Sequence, residues 1–218
     1  PRIVERILAG ETCALVSDAG SPAISDPGED LVRLCAEAGV TVSAIPGPCA
    51  AITALSMSGL PTGRFTFEGF LSTTKKNRAQ HLDSLRAEQR TMIFYEAPHK
   101  LCATLRDLAA AFGGERRISL CRELTKLHEE VLRLTLDGAV AYYETQPPRG
   151  EYVLIVEGAP KQLESGPVSE EEALMRVQAL LAEGLSRKDA VRQVAAETGL
   201  AKNQLYDAAL RAQHTETE

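Results

Sequence analysis

The sequence predicts an α/β fold of two domains, followed by a helical module at the carboxyl end of the chain. Apolar runs typical of buried strands alternate with amphipathic helical segments as far as residue 160. Loops rich in glycine and proline interrupt the early part of this alternation, and beyond a polar segment only helical patterns remain. We expect one α/β domain over 1–60, a second over 61–160 and a helical module over 167–211.

In the first domain the pattern reads helix, strand, loop, helix, strand, loop, helix. Apolar residues at helical spacing predict a helix over 2–9 that stops before Gly10. Short apolar runs predict buried strands at 13–16 and 40–45, and helices are expected over 29–38 and 49–58. This order is typical of a parallel α/β unit.

The second domain is predicted to be mixed α/β, with hairpin-like returns between some strands. Its strands are expected at 65–70, 91–95, 117–121, 131–136 and 150–156. The helices between them are a polar one that contains His81, Arg86 and Arg90, one that ends at Phe112, and one capped by Asp137 that ends at Glu144.

The helical module carries its own caps. Ser169 with Glu172 predicts a capping box for a helix that ends at Ala182. Ser186 is expected to cap a second helix that ends at Thr198, and a turn at Gly199 leads to a third helix over 202–211. The last two helices resemble a helix-turn-helix, and their basic residues outnumber the acidic ones. The module therefore either contacts nucleic acid or serves only for packing.

Composition restricts the classes of function. A net charge of −6 creates no protein-wide attraction for nucleic acid, so any such contact must come from local basic patches. The five cysteines are odd in number and widely spaced, which favours reduced residues of a cytoplasmic protein over a disulfide framework. We see no Cys/His spacing typical of a metal site, no membrane-spanning apolar run and no signal peptide.

Two loops have the composition of ligand loops. The stretch from Val16 to Gly28 combines glycine and proline with short polar side chains, and a second such loop runs from Ile45 to Ala50. Because loops at the carboxyl ends of parallel strands meet at one edge of a sheet, two in succession predict one shared crevice. Ordinary turn chemistry is the alternative for either loop alone.

The order of the motifs resembles the tetrapyrrole methylase family, in particular those members that act on ribosomal RNA. The motifs that carry the resemblance span nearly the whole chain and are Ser17–Gly28, Pro46–Pro48, Phe67–Leu71, Phe94–His99, Arg122–Lys126 and Gly150–Gly158. The resemblance implies a homodimer of two-domain chains, with S-adenosylmethionine bound in the cleft between the two α/β domains. It implies transfer of the methyl group to the ribose 2′-hydroxyl of a cytidine in 16S ribosomal RNA, in the small ribosomal subunit. Members of the family begin with a strand and a Gly/Pro loop ahead of the position of Pro1, so we expect that region of the first domain to be missing here.

The resemblance also assigns site residues. Those expected to bind the methyl donor are Asp18, Ala19, Gly20, Ser21, Pro22, Asp26, Pro46, Gly47, Pro48, Cys49 and Ala50. Candidates for the proton transfer lie in loops after strands of the second domain; they are Glu96, Lys100 and Lys126, with His99 and Glu123 beside them. Candidates for phosphate contacts are Lys75, Lys76, Arg78, Arg122, Arg187, Lys188 and Lys202.

Two other functions remain open from the residues. A methyltransferase of the same fold could act on a tetrapyrrole carbon, although the helical module and the Lys75-Lys76 loop disfavour it. Alternatively, the chain could be a non-catalytic nucleic-acid-binding protein in which the module alone makes the contacts. A salt bridge or a helix cap is an alternative role for each candidate catalytic residue. The glycine fingerprint of dinucleotide-binding proteins is absent from the sequence, which disfavours a Rossmann enzyme.

Overall fold

A computed structural model of the chain describes residues 2–160 and 169–215, with side chains as far as Leu210. The chain divides into two compact units, one over 1–160 and one over 161–218. The predicted polar linker, together with residues 167 and 168 at the start of the predicted module, lies outside the described residues.

One mixed sheet organises the first unit. Its strands are β1 (Phe65–Phe70), β2 (Thr91–Glu96), β3 (Arg117–Arg122), β4 (Glu130–Thr135) and β5 (Tyr152–Val156). They lie in the order β1-β2-β5-β3-β4. Strand β1 pairs with β2 in parallel, whereas the other neighbours are antiparallel. The five predicted strands of the second domain and its mixed character are confirmed.

Helices cover both faces of this sheet. The helices of the first unit are α1 (Arg2–Leu8), α2 (Glu29–Glu37), α3 (Ala50–Met57), α4 (Lys75–Ser84), α5 (Pro98–Phe112) and α6 (Leu136–Thr145). Side chains of α4, α5 and α6 share a core with Met92 and Phe94, while α3 packs in a separate core with Ile93. Successive residues of a strand point to opposite faces. The α3 face and the α5 face of the sheet are therefore two distinct environments.

The predicted strands at 13–16 and 40–45 are wrong. Both segments are irregular, and within the described residues neither forms a ladder with another strand. An extended segment becomes a strand only when its N–H and C=O groups pair with a neighbour. Their ends are exposed rather than buried, since Val16 keeps 81% and Ile45 91% of its accessible surface.

Two helix boundaries also differ from the prediction. Helix α4 ends at Ser84, because the Leu85 N–H closes the last turn on the Leu82 carbonyl at 3.2 Å, so Arg86 and Arg90 lie outside the helix. Helix α6 is capped by Thr135 and not by Asp137. The Thr135 hydroxyl accepts a hydrogen bond from the N–H of Gly138 at 3.1 Å.

The described residues of the second unit form three helices: α7 (Glu170–Ala182), α8 (Arg187–Thr198) and α9 (Lys202–Thr215). The predicted capping box of α7 is present, and the Ser186 hydroxyl caps α8 by accepting from the N–H of Asp189 at 3.2 Å. Gly199 ends α8 in the left-handed conformation at φ +71°. Their shared core consists of Ala173, Val177, Ala190, Val191, Val194, Leu205 and Ala209. None of the described helices combines the length and apolarity needed to cross a bilayer.

Candidate functional site

The two predicted ligand loops contact each other through their backbones. The N–H of Ser21 donates a hydrogen bond to the carbonyl of Pro48 at 2.9 Å. Gly20 has φ +76°, and a Cβ placed on it would lie only 2.8 Å from the same carbonyl oxygen. A glycine is therefore required here both for its backbone conformation and for the close approach. The structure brings together the two loops that the sequence indicated separately.

The first loop is held by its own polar groups in an unusual conformation. The Ser17 hydroxyl donates to the carbonyl of Gly20 at 2.9 Å. Ala23 and Ser25 are left-handed, at φ +66° and +63°, although neither is a glycine. Such backbone strain clusters at ligand sites. Of the predicted donor residues, Ser21, Pro22 and Cys49 are half-buried and the others are exposed, so the loops are accessible to a ligand.

The other candidate loops leave the sheet along one edge. Glu96 at the end of β2 and Arg122 at the end of β3 both lie opposite Tyr152, the first residue of β5. Two strand spacings separate them, which is about 10 Å. Helix α5, which carries Lys100, and the loop that carries Lys126 therefore both begin at this edge of the sheet. The predicted loop over 96–100 is wrong in part, because α5 already begins at Pro98 and includes Lys100.

Tyr95 connects this edge to the ligand loops. It points to the α3 face, where its hydroxyl accepts a hydrogen bond from the N–H of Ala51 at 3.2 Å. Burial raises the pKa of Tyr95, and the nearby Cys49 and Asp26 raise it further. Tyr95 lies within the Phe94–His99 motif, but the sequence did not single it out, because an aromatic residue in a strand is ordinary core composition.

Glu96 faces the opposite side of the sheet. Its side chain is buried, with 4% of the residue exposed, and accepts hydrogen bonds from the N–H of Ala97 at 2.9 Å and from the Thr104 hydroxyl. The Thr104 oxygen in turn accepts from Arg78 at 2.9 Å, and Arg78 donates to Asp107 at 2.6 Å. Glu96 and Arg78 thus form one network on the α5 face, away from the ligand loops.

Lys126 lies between two carboxylates in the loop after β3. Its Nζ is 3.0 Å from an oxygen of Glu123 and 2.8 Å from an oxygen of Glu151. These bonds raise the pKa of Lys126, first through Glu151 and then through Glu123. The backbone N–H of Glu151 and then the Lys126 ammonium lower the pKa of Glu123. Glu123 and Thr125 are left-handed, at φ +50° and +64°, so the loop is strained as well as charged.

The other predicted RNA contacts differ in accessibility. Lys75 and Lys76 begin α4, are exposed, and make no ion pair within the part of the chain that the structure describes. Lys100 is half-buried in the first turn of α5. Arg122 lies 3.2 Å from Glu130 and keeps 24% of its side chain exposed.

In the helical unit, Lys188 and Lys202 are exposed and Arg187 is half-buried. The Ser186 hydroxyl and then Arg192 lower the pKa of Asp189, and Lys188 and Lys202 add to the effect. These cations therefore share one end of the unit.

A cavity of about 580 Å³ lies at the other edge of the sheet, where β2 and β3 begin and β5 ends. Thr91, Arg116 and Gly158 are among its lining residues, and no predicted site residue lines it. Among the described residues no group of three His, Cys, Asp or Glu side chains could hold a metal ion.

Two families match the chain. The family described as Tetrapyrrole (Corrin/Porphyrin) Methylases matches residues 1–140, and the family described as RsmI C-terminal HTH domain matches residues 168–213. Together they span both structural units.

Relatives in other organisms match over almost the whole chain. A ribosomal RNA small subunit methyltransferase I of Synechocystis is 49% identical over 208 residues, which are 95% of this chain and 74% of the relative. The protein of that name from Escherichia coli O157:H7 is 45% identical over 213 residues, 97% of this chain and 73% of the relative. Among solved structures, the methyltransferase CobJ aligns with a TM-score of 0.55 at 20% identity, covering 72% of this chain and 69% of that one. This last similarity concerns the fold alone.

Proposed function

Because the chain belongs to the ribosomal RNA small subunit methyltransferase I family, within the tetrapyrrole methylases, we propose that it methylates ribosomal RNA with S-adenosylmethionine as donor. The proposed acceptor is the ribose 2′-hydroxyl of a cytidine in the 16S RNA of the small ribosomal subunit. The observation that carries the proposal is the 43–49% identity to relatives of that name over nearly the whole chain, including the helical unit.

The paired ligand loops are the proposed donor site. A methyl donor of this kind carries an amino acid, a ribose and an adenine, and is held by shape and backbone hydrogen bonds more than by bulk charge. The residues fit that requirement, since Gly20 lets the two loops approach closely at Pro48 and most of the assigned donor residues are exposed. When bound, the donor supplies an electrophilic methyl group on a sulfonium. The first predicted domain, 1–60, contributes both loops.

The second predicted domain, 61–160, is proposed to hold the acceptor. Alignment of a hydroxyl with a reactive centre contributes roughly 7–11 kcal/mol in well-oriented reactions. Lys126 donates two hydrogen bonds to Glu123 and Glu151, and the third N–H of its ammonium is proposed to donate to the acceptor oxygen, whose proton passes to water as the methyl group is transferred. Lys100 is the second cation of this edge. Glu96 does not face the ligand loops, so its proposed role is to position helix α5 through Thr104.

Binding of RNA is assigned to Lys75 and Lys76 beside the sheet edge, and to Lys188 and Lys202 in the helical unit. Each is exposed and can contact phosphate without reading bases. Arg78, Arg122 and Arg187 are more constrained, because they are partly buried. A homodimer in the cytoplasm, where ribosomes are modified, completes the proposal.

The test is transfer of a labelled methyl group to isolated small ribosomal subunits, with a reduced porphyrin precursor offered in a parallel reaction. We expect label only in the RNA. The modified nucleotide should also resist alkaline cleavage, because that cleavage requires a free 2′-hydroxyl. Label in the porphyrin precursor would favour the tetrapyrrole alternative, and label in RNA that remains alkali-sensitive would move the acceptor from the ribose to a base. Donor binding without transfer to either substrate would contradict the proposed function.

A further inference from the structure

The edge strand β1 leaves two phenylalanine rings uncovered beside the ligand loops. Phe67 is 37% exposed and Phe70 is 56% exposed. Both rings contact Tyr95 edge to face, with centroid distances of 5.1 Å for Phe67 and 5.6 Å for Phe70. Edge-to-face packing holds each ring in place while one ring surface stays accessible. We call Phe67 and Phe70 the aromatic shelf.

A β-bulge creates the shelf. Phe67 lies opposite Ile93 and Phe70 opposite Tyr95, and the extra residue between them falls at Glu68 and Gly69. In a regular strand, residues three apart point to opposite faces. The bulge therefore brings both rings to the α3 face, and Gly69 permits it with φ +62°.

The shelf is continuous with the proposed donor site. Tyr95, on which both rings pack, bonds through its hydroxyl to the N–H of Ala51, the residue that follows the second ligand loop. A flat ligand on the shelf would thus be separated from that loop by the side chain of Tyr95.

Few of the described charged side chains are placed at the shelf: Asp26 acts on the underlying Tyr95, and the charges of Glu68 and α4 lie elsewhere. Glu68 is turned to the other face, where its carboxylate lies 2.8 Å from His81, so it adds no negative charge to the shelf. Lys75 and Lys76 follow the strand and are exposed. Exposed aromatic rings of this kind stack the bases of single-stranded nucleic acid, whereas Lys75 and Lys76 lie further along the chain, at the start of α4.

We propose that the aromatic shelf stacks the base of the acceptor nucleotide, unpaired from its RNA, and so positions the ribose toward the donor loops. This inference rests on the proposed function. Sequence-specific recognition of RNA commonly uses unpaired bases stacked on aromatic side chains. Phe67 and Phe70 act as positioning residues through that contact.

The test compares two alanine substitutions on the same strand. Phe70→Ala removes a ring of the shelf, whereas Phe65→Ala removes one that is 38% exposed on the same face, opposite Thr91 and about 15 Å away. We expect Phe70→Ala to raise the KM for small ribosomal subunits by about 5- to 150-fold, the usual effect of losing one stacked base. Donor affinity, measured by calorimetry, should not change. Phe65→Ala should behave as wild type, and Phe70→Trp should restore the KM.

An unchanged KM in Phe70→Ala, or an equal increase in Phe65→Ala, would overturn the shelf. Wild-type protein that binds the donor but methylates no ribosomal RNA would instead contradict the proposed function. In that case the stacking role of the shelf is tested by adding the protein to a single-stranded oligoribonucleotide that contains 2-aminopurine, whose fluorescence falls when the base stacks. Quenching by wild type but not by Phe70→Ala supports the shelf, and equal quenching overturns it.

Discussion

Replacing Gly20 by alanine should weaken donor binding while leaving the fold intact. A left-handed backbone costs an L-residue about 1–2 kcal/mol. In addition, the new Cβ would lie 2.8 Å from the carbonyl oxygen of Pro48, and ordinary contact begins at 3.4 Å. Pro48 must therefore move away from the first loop. The 2.9 Å hydrogen bond from Ser21 to Pro48 then stretches beyond the usual range of about 2.7–3.2 Å.

The matched control is Gly39→Ala. Gly39 has φ +71°, almost the same as Gly20, but a Cβ there meets nothing within 4 Å. Both variants carry the backbone penalty, and only Gly20→Ala separates the loops. The lost hydrogen bond is worth about 0.5–1.5 kcal/mol. Since 1.4 kcal/mol corresponds to tenfold, loss of this contact from the donor site should raise the donor Kd of Gly20→Ala by about 2- to 13-fold.

The assay is calorimetric titration with S-adenosylmethionine, together with thermal unfolding of each variant. A raised donor Kd only in Gly20→Ala, with cooperative unfolding and a Tm about 1–6 °C below that of Gly39→Ala because of the lost contact, would support the paired-loop donor site. If Gly20→Ala binds the donor as wild type does, the contact between the loops is irrelevant to binding and the donor lies elsewhere.

Three further predictions concern charge. Lys126→Ala should lower kcat by about 10²-fold, as for loss of one preorganised donor, with less change in donor Kd; a loss confined to Kd would place Lys126 on the donor side. The contribution of Glu123 to stability should be present above pH 4.5 and disappear as the pH falls through its lowered pKa, because the folded form binds that proton less tightly than the unfolded form. The difference in Tm between wild type and Glu123→Gln should therefore shrink on acidification, and a constant difference would contradict the ion-paired loop. Replacing Lys188 and Lys202 by alanine should raise the KM for ribosomal subunits and reduce its salt slope by about two, and an unchanged slope would leave the helical unit as a packing element.

Apolar periodicity predicted the strands and helices that bury one face in a core. It failed for segments whose structure depends on pairing with another strand. The strands of the sheet and the helices of the second unit have apolar patterns that fix their partners. The segments 13–16 and 40–45 have equally apolar patterns, but an apolar run does not specify a pairing strand. The Thr135 cap was missed for a similar reason, since Asp137 beside it is as good a capping residue on sequence alone.

The proposed site follows from the composition of its loops, and its individual side chains remain a prediction. Gly20 and Pro48 could be selected because glycine and proline loops after apolar runs have a recognisable composition. Phe67 and Phe70 could not, because their exposure depends on a one-residue bulge that the sequence does not reveal.

Successive side chains of β2 point to opposite faces of the sheet, so the end of this one strand supports two separate sites. Tyr95 and Glu96 are adjacent in the chain, yet Tyr95 supports the α3 face with the ligand loops and Glu96 anchors the network of the α5 face. Within the described part of the chain the two side chains share no hydrogen-bond partner, so a change at Glu96 is expected to reach the ligand loops through the backbone of β2. The buried carboxylate requires its two donors, since an unpaired buried charge is costly. That requirement fixes the end of β2, and a fixed strand end holds Tyr95 where both the aromatic shelf and the second ligand loop pack on it.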